Sequence, residues 1–84
     1  MTDHLRALGD NLRRARKRRF PNDDLTAFAL RIGVSRSTLQ KMEQGDLTVA
    51  IGRYYRAAEI LGLGATFGAL LRQEESLFDD SRPL

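Results

Sequence analysis

Apolar residues near the start of the chain recur at Leu5, Leu8, Leu12 and Ala15, in steps of three, four and three. That spacing puts them on one face of a helix with 3.6 residues per turn, so a first helix is expected from Leu5 to Arg19. Gly9 interrupts it at a cost of about 1 kcal/mol relative to alanine. A bare Cα there suits a neighbouring helix that passes close. The pattern stops at Phe20-Pro21-Asn22-Asp23-Asp24, because proline disfavours helical geometry at the residue before it and either aspartate is a good N-cap for the next helix. Leu25, Phe28, Ala29 and Ile32 then define the core face of a second helix, from about Leu25 to Ile32.

Gly33 suits the positive φ that ends a helix, Val34 is apolar, and the Ser35 hydroxyl suits an N-cap, so a third helix begins almost at once. Leu39 and Met42 point inward by spacing. Arg36, Ser37, Gln40, Lys41 and Gln44 are left on the outer face, and Gly45 supplies the stop. Thr48 is the expected cap of a fourth helix carrying Ile51, Tyr54, Ala58 and Leu61 on its inner face, ended by Gly62 and Gly64. A fifth helix is expected from Ala65 to about Glu75, with Phe67, Leu70 and Leu71 as its apolar side. The reading is all-α: one domain of five helices over residues 1–76, then a short acidic tail over 77–84 that frays from the fold.

Composition narrows the function. With 84 residues the core is modest, and a large enclosed active site is a poor fit. There is no cysteine, hence neither a disulfide framework nor a thiolate metal site. The one histidine, His4, lies near the N-terminus, and no His/Asp/Glu cluster has metal spacing. Neither an enzyme nor a metal or other cofactor is expected. The longest mostly apolar stretch, Leu61 to Leu71, is too short and glycine-rich to span a bilayer, and no signal segment opens the chain. The cytoplasm is the default compartment. Net charge is +3, unevenly spread: residues 1–72 carry 13 basic and 7 acidic side chains, whereas residues 73–84 carry Arg82 against Glu74, Glu75, Asp79 and Asp80. A basic domain favours polyanionic partners, since each neutralised phosphate releases condensed counterions.

The informative constellation runs from Phe28 to Gly45. Small Ala29 lets two helices cross closely, Gly33 makes the turn, Val34 fills the gap, and Ser35 caps a helix whose first turn faces outward. With Leu39, Glu43 and Gly45 at their fixed spacings, the segment resembles the phage-repressor and Cro type of helix-turn-helix, the XRE family, over roughly Leu8 to Leu63. The resemblance implies a repressor-like domain whose second and third helices form the helix-turn-helix. It also implies double-stranded DNA as partner and a sequence-specific regulator, a repressor working as a homodimer on a palindromic operator.

Carried onto this sequence, the resemblance implies base readout by Arg36, Ser37 and Lys41, with Gln40 a further candidate. Arginine can hold guanine O6 and N7 in bidentate fashion, and lysine reaches the same acceptors as a point donor. Ser35 caps the helix and is a candidate phosphate contact. Glu43 is implied to pair with an arginine of the first helix, best aligned with Arg16. The basic run Arg13, Arg14, Arg16, Lys17, Arg18 and Arg19 reads either as a solvated end favoured by the helix dipole or as a phosphate track. Within it Arg18 and Arg19 are candidate phosphate contacts, as is Arg53 near the start of the fourth helix. The pattern also departs from the family: Asp24 and Leu25 stand where threonine and a DNA-contacting glutamine are common, Pro21-Asn22 lengthens the first connection, and Asp46-Leu47-Thr48 lacks basic side chains.

Dimerisation follows from the few base pairs one short helix covers. Phe67, Leu70 and Leu71 are candidate interface residues, with core packing the rival role. Val49 to Leu63 is also similar to HipB-type antitoxins, which would add a kinase-like toxin as a protein partner through the C-terminal region. Leu77 and Phe78 in the acidic tail suit either such docking or plain solvation.

Overall fold

A computed structural model describes residues 3–73. Within them the chain forms five helices and no strand: α1 (Asp3–Arg19), α2 (Leu25–Ile32), α3 (Arg36–Glu43), α4 (Ile51–Ile60) and α5 (Ala65–Gly68). The expected boundary after residue 76 and the tail over 77–84 lie outside the described residues.

The core is built where the periodicity places it. Phe28, Leu39 and Met42 are wholly buried, and Leu12, Ala29, Ile32, Tyr54 and Leu61 close around them. Leu8, Ala15, Leu25, Val34 and Phe67 pack against that cluster from its margin. α3 thus has a completely buried underside although it is only eight residues long. So short a helix is marginal alone, and its stability comes from that packing.

Gly9 permits a close backbone approach. A Cβ on it would overlap the backbone carbonyl of Glu43 and crowd the amide of Gly45, so α1 crosses the end of α3 at backbone contact. This is the role expected for it.

Three expectations are corrected. Thr48 does not cap α4. The N-cap is Ala50, with no side-chain capping bond, and Thr48 instead donates from both its amide and its hydroxyl to Asp46 Oδ1, at 2.8 and 2.6 Å. A local Asx-type turn competes successfully for the threonine. Ile51 does not face inward; it is 59% exposed, and Ala57 takes the inner place beside Tyr54, Ala58 and Leu61. The helix starts after the Asx turn, so its first residue lies outside the packed stripe. Finally, α5 ends at Gly68 rather than running on to Glu75. Glycine is a poor helix former, no side chain caps the helix, and residues 69–72 continue only as i→i+3 turns. Glu74 and Glu75 lie outside the described residues.

Gly9→Ala separates two opposed effects. Helix propensity alone would stabilise the protein by about 1 kcal/mol, whereas overlap with fixed backbone costs about 1–3 kcal/mol as overpacking does. Urea unfolding should show net destabilisation; a gain in stability would mean that α1 does not touch the end of α3.

Candidate nucleic-acid interface

The interface begins with the turn between α2 and α3. Asp24 caps α2 by accepting from the Ala27 amide at 2.8 Å. At its other end Gly33 adopts φ 75°, ψ 33°, the left-handed conformation that side chains disfavour. The Val34 amide closes the turn on the Ala29 carbonyl at 3.0 Å, and the Val34 side chain packs on the core margin. Ser35 then takes extended geometry, and its Oγ accepts from the Thr38 amide at 3.1 Å. The same hydroxyl donates to Thr38 Oγ1 at 2.9 Å and lies 3.2 Å from Ser37 Oγ. The first turn of α3 is therefore tied by a cluster of three hydroxyls.

That cap aims α3 outward. Arg36, Ser37, Gln40, Lys41 and Gln44 are all exposed, whereas Leu39 and Met42 are 0% exposed. Residues at i, i+1, i+4, i+5 and i+8 share one helical face, so the structure gathers the four readout candidates into one polar strip. Arg36 and Gln40 make no side-chain hydrogen bond or ion pair with any described residue. Lys41 feels the carboxylate of Asp46. Ser37, by contrast, is engaged by the cap hydroxyl.

The strip is held from behind. Arg16 Nε donates to Glu43 Oε2 at 2.6 Å and Nη2 to Oε1 at 3.1 Å, a bidentate pair whose side chains are only 7% and 10% exposed. It anchors the end of α3 to α1. Tyr54 Oη donates to the Asp46 carbonyl at 2.7 Å and lies within reach of the Met42 carbonyl, pinning the segment that leaves α3. Burial and the nearby Asp46 carboxylate push the Tyr54 phenol up from its ordinary value, which keeps it a neutral donor. The Thr48 hydroxyl and amide hold the Asp46 carboxyl below the usual carboxylate range.

A second clamp was not foreseen from the sequence. Arg31 on α2 makes a bidentate pair with Asp23, at 2.5 and 3.2 Å, while its guanidinium lies 4.0 Å from the centroid of the Phe20 ring. Phe20 also packs against Phe28 at 5.8 Å. The connection lengthened by Pro21-Asn22 is thus fixed by a cation–π and ion-pair sandwich. The residue types were visible, but eight positions separate Arg31 from Asp23, and only the folded turn brings them together.

Other candidates fall elsewhere. Arg18 and Arg19 line a groove with Leu61 and Leu63, on a surface of α1 distinct from the face that meets Glu43. Arg53 is exposed in the first turn of α4. Phe67 is half-buried and meets the Tyr55 ring edge-on at 5.4 Å, whereas Leu70 and Leu71 are 57% and 101% exposed. The three do not share a helical face. Among the described residues there is no cluster of His, Cys, Asp or Glu able to hold a metal, and no helix is long and apolar enough to cross a membrane.

A capped polar helix, presented by a glycine turn and backed by a buried apolar underside, defines a DNA-binding helix-turn-helix of the XRE and Cro-like kind. The comparison with known families agrees: the family model described as a helix-turn-helix domain matches residues 7–71, and the chain belongs to that family. No curated protein and no solved structure gives a significant match.

Two outcomes test the supports. Arg16→Met should cost about 3–5 kcal/mol in urea unfolding, because it strands a buried carboxylate, and adding Glu43→Leu should recover much of the loss. The second concerns acid. The hydrogen bond from Arg31, and then its charge, lower the Asp23 pKa, so the folded state favours the carboxylate. The resulting stability is complete above the ordinary aspartate range, about pH 4, and is lost as pH falls through the lowered folded value. Asp23→Asn should therefore be less stable than the parent at pH 7 and converge with it in strong acid; a stability gap independent of pH would remove the ion pair from the account.

Proposed function

We propose that this protein is a sequence-specific regulator of transcription, a repressor that binds a palindromic operator as a homodimer. The observation that carries the reading is the outer face of α3, where Arg36 and Gln40 have no partner among the described residues while the underside of the same helix is fully buried. A rigid helix bearing uncommitted donors is what major-groove readout requires. Arg36 and Lys41 read base edges, Gln40 supplements them, and Ser37 contributes once its hydroxyl is released from the cap. Ser35 offers a phosphate contact beside the free amides of the helix start, and Arg18, Arg19 and Arg53 grip the backbone on either side.

The pairing surface is supplied by Leu70 and Leu71, which have no inward role, while Phe67 is taken up by Tyr55 and the core margin. The domain ends near residue 76 on this reading, and the acidic residues beyond it are an appendage. No observation on α4 favours an antitoxin over a plain regulator.

Selection of bound sequences from random DNA should return a palindrome with half-sites one helical turn apart, about 10 base pairs. Arg36→Ala should lose preference at one base pair per half-site, about 1–3 kcal/mol. Arg19→Ala should weaken all sequences alike and reduce the salt slope by about one. Equal losses on specific and random DNA for Arg36→Ala would exclude its readout role.

A further inference from the structure

α1 and the end of α4 leave between them an open groove whose apolar floor has no part in the proposed DNA contacts. Its floor is apolar: Leu8, Leu12 and Ala15 of α1 face Leu61, Leu63 and Phe67 across about 360 Å³. It continues into a space of about 530 Å³ that shares Asn11, Ala15, Leu61 and Leu63 and is lined by Arg14, Arg18 and Arg19. Among the described residues, Arg14 donates to the Asn11 side-chain carbonyl of its own helix at 3.3 Å, while Arg18 and Arg19 have no side-chain hydrogen-bond partner. An apolar trough with a cationic rim selects an occupant that carries large apolar side chains between negative charges.

The stretch beyond Gln73 has that composition. Glu74, Glu75, Asp79 and Asp80 bracket Leu77 and Phe78, in a segment outside the described residues. Connectivity favours it as well. Phe67, only ten positions before Leu77, is itself part of the groove wall. Leu77 and Phe78 follow Gln73 by four and five residues, a reach of at most about 13–18 Å. A tethered segment also meets its site at a high effective concentration, which a free partner does not.

We infer that residues 74–84 of the same chain dock in this groove, with Leu77 and Phe78 on its apolar floor and the flanking carboxylates against Arg14, Arg18 and Arg19. Resting on the proposed function, the docking has a consequence: Arg18 and Arg19 are also the phosphate contacts, so the segment and DNA compete for the same cations. The acidic segment is then a built-in brake on non-specific binding.

The chain lacks cysteine, so Ser81→Cys in the full chain takes a single nitroxide. In the absence of DNA, the amide signals of Asn11, Ala15 and Leu63 should broaden strongly at low salt, and those of Ser37 and Lys41 should not. Adding Leu77→Ser and Phe78→Ser should abolish the effect. Uniform weak broadening across the domain overturns the proposal. So does broadening of the groove signals in a mixture of nitroxide-bearing unlabelled protein with isotope-labelled protein lacking the nitroxide, which would make a second copy the occupant. Because this readout contains no DNA, it succeeds or fails independently of the DNA reading. For the competition, the Leu77→Ser/Phe78→Ser chain, whose charge is unchanged, should bind random-sequence DNA about tenfold more tightly, the effect of a few exposed ion pairs released. Unchanged affinity would overturn the brake.

Discussion

The Arg16–Glu43 pair sits where α1 crosses the end of α3, and the presentation of the outer face depends on it. A carboxylate in a basic domain meant for a polyanion is out of place unless something neutralises it. Here a guanidinium does so in bidentate geometry, with both side chains almost wholly withdrawn from water. Burial makes the geometry exacting, because each charge would be costly to leave alone. The pair therefore sets the position of the C-terminal end of α3, as the Ser35 cap and Gly33 turn set the N-terminal end.

Between these two fixed ends, α3 divides its surface. Leu39 and Met42 sink into the core, which leaves Arg36, Gln40 and Lys41 on a strip with little conformational slack in the backbone beneath it. Gly9 lets α1 come near enough for the pair to form, and Tyr54 holds the exit from α3 by its hydroxyl. The Arg31–Asp23–Phe20 sandwich fixes the entry to α2 in the same way. The outer face of α3 is thus made rigid by polar contacts at its edges and apolar packing under its middle, while Arg36 and Gln40 make no side-chain hydrogen bond with any described residue.

The C-terminal part of the described chain is organised differently. α5 has only four residues and no side-chain cap, and Leu70 and Leu71 beyond it are turned to solvent. The apolar residues in this region exceed what the small core can cover. The cations of α1 border the groove that results, which links the least regular end of the fold to the most basic surface it carries.

How much of this was legible in the chain varies with the range of the interaction. Helices one to four, the Gly33 turn and the Ser35 cap could be read because they depend on residues within a few positions of each other and on a 3.6-residue period. Glu43 opposite Arg16 was legible only through a family pattern, since 27 positions separate them. Thr48, Ile51 and the end of α5 could not be read, because each was decided by competition between a local pattern and an alternative of similar strength: an Asx turn, a shifted helix start, and a glycine in a helix too short to withstand it. The clamp of Arg31 on Phe20 and Asp23, the split between Phe67 inside and Leu70 outside, and the placing of Arg18 and Arg19 beside Leu61 are tertiary outcomes. They depend on how the helices cross, and the crossing is settled by packing and buried charge over the whole domain rather than by any one stretch of sequence.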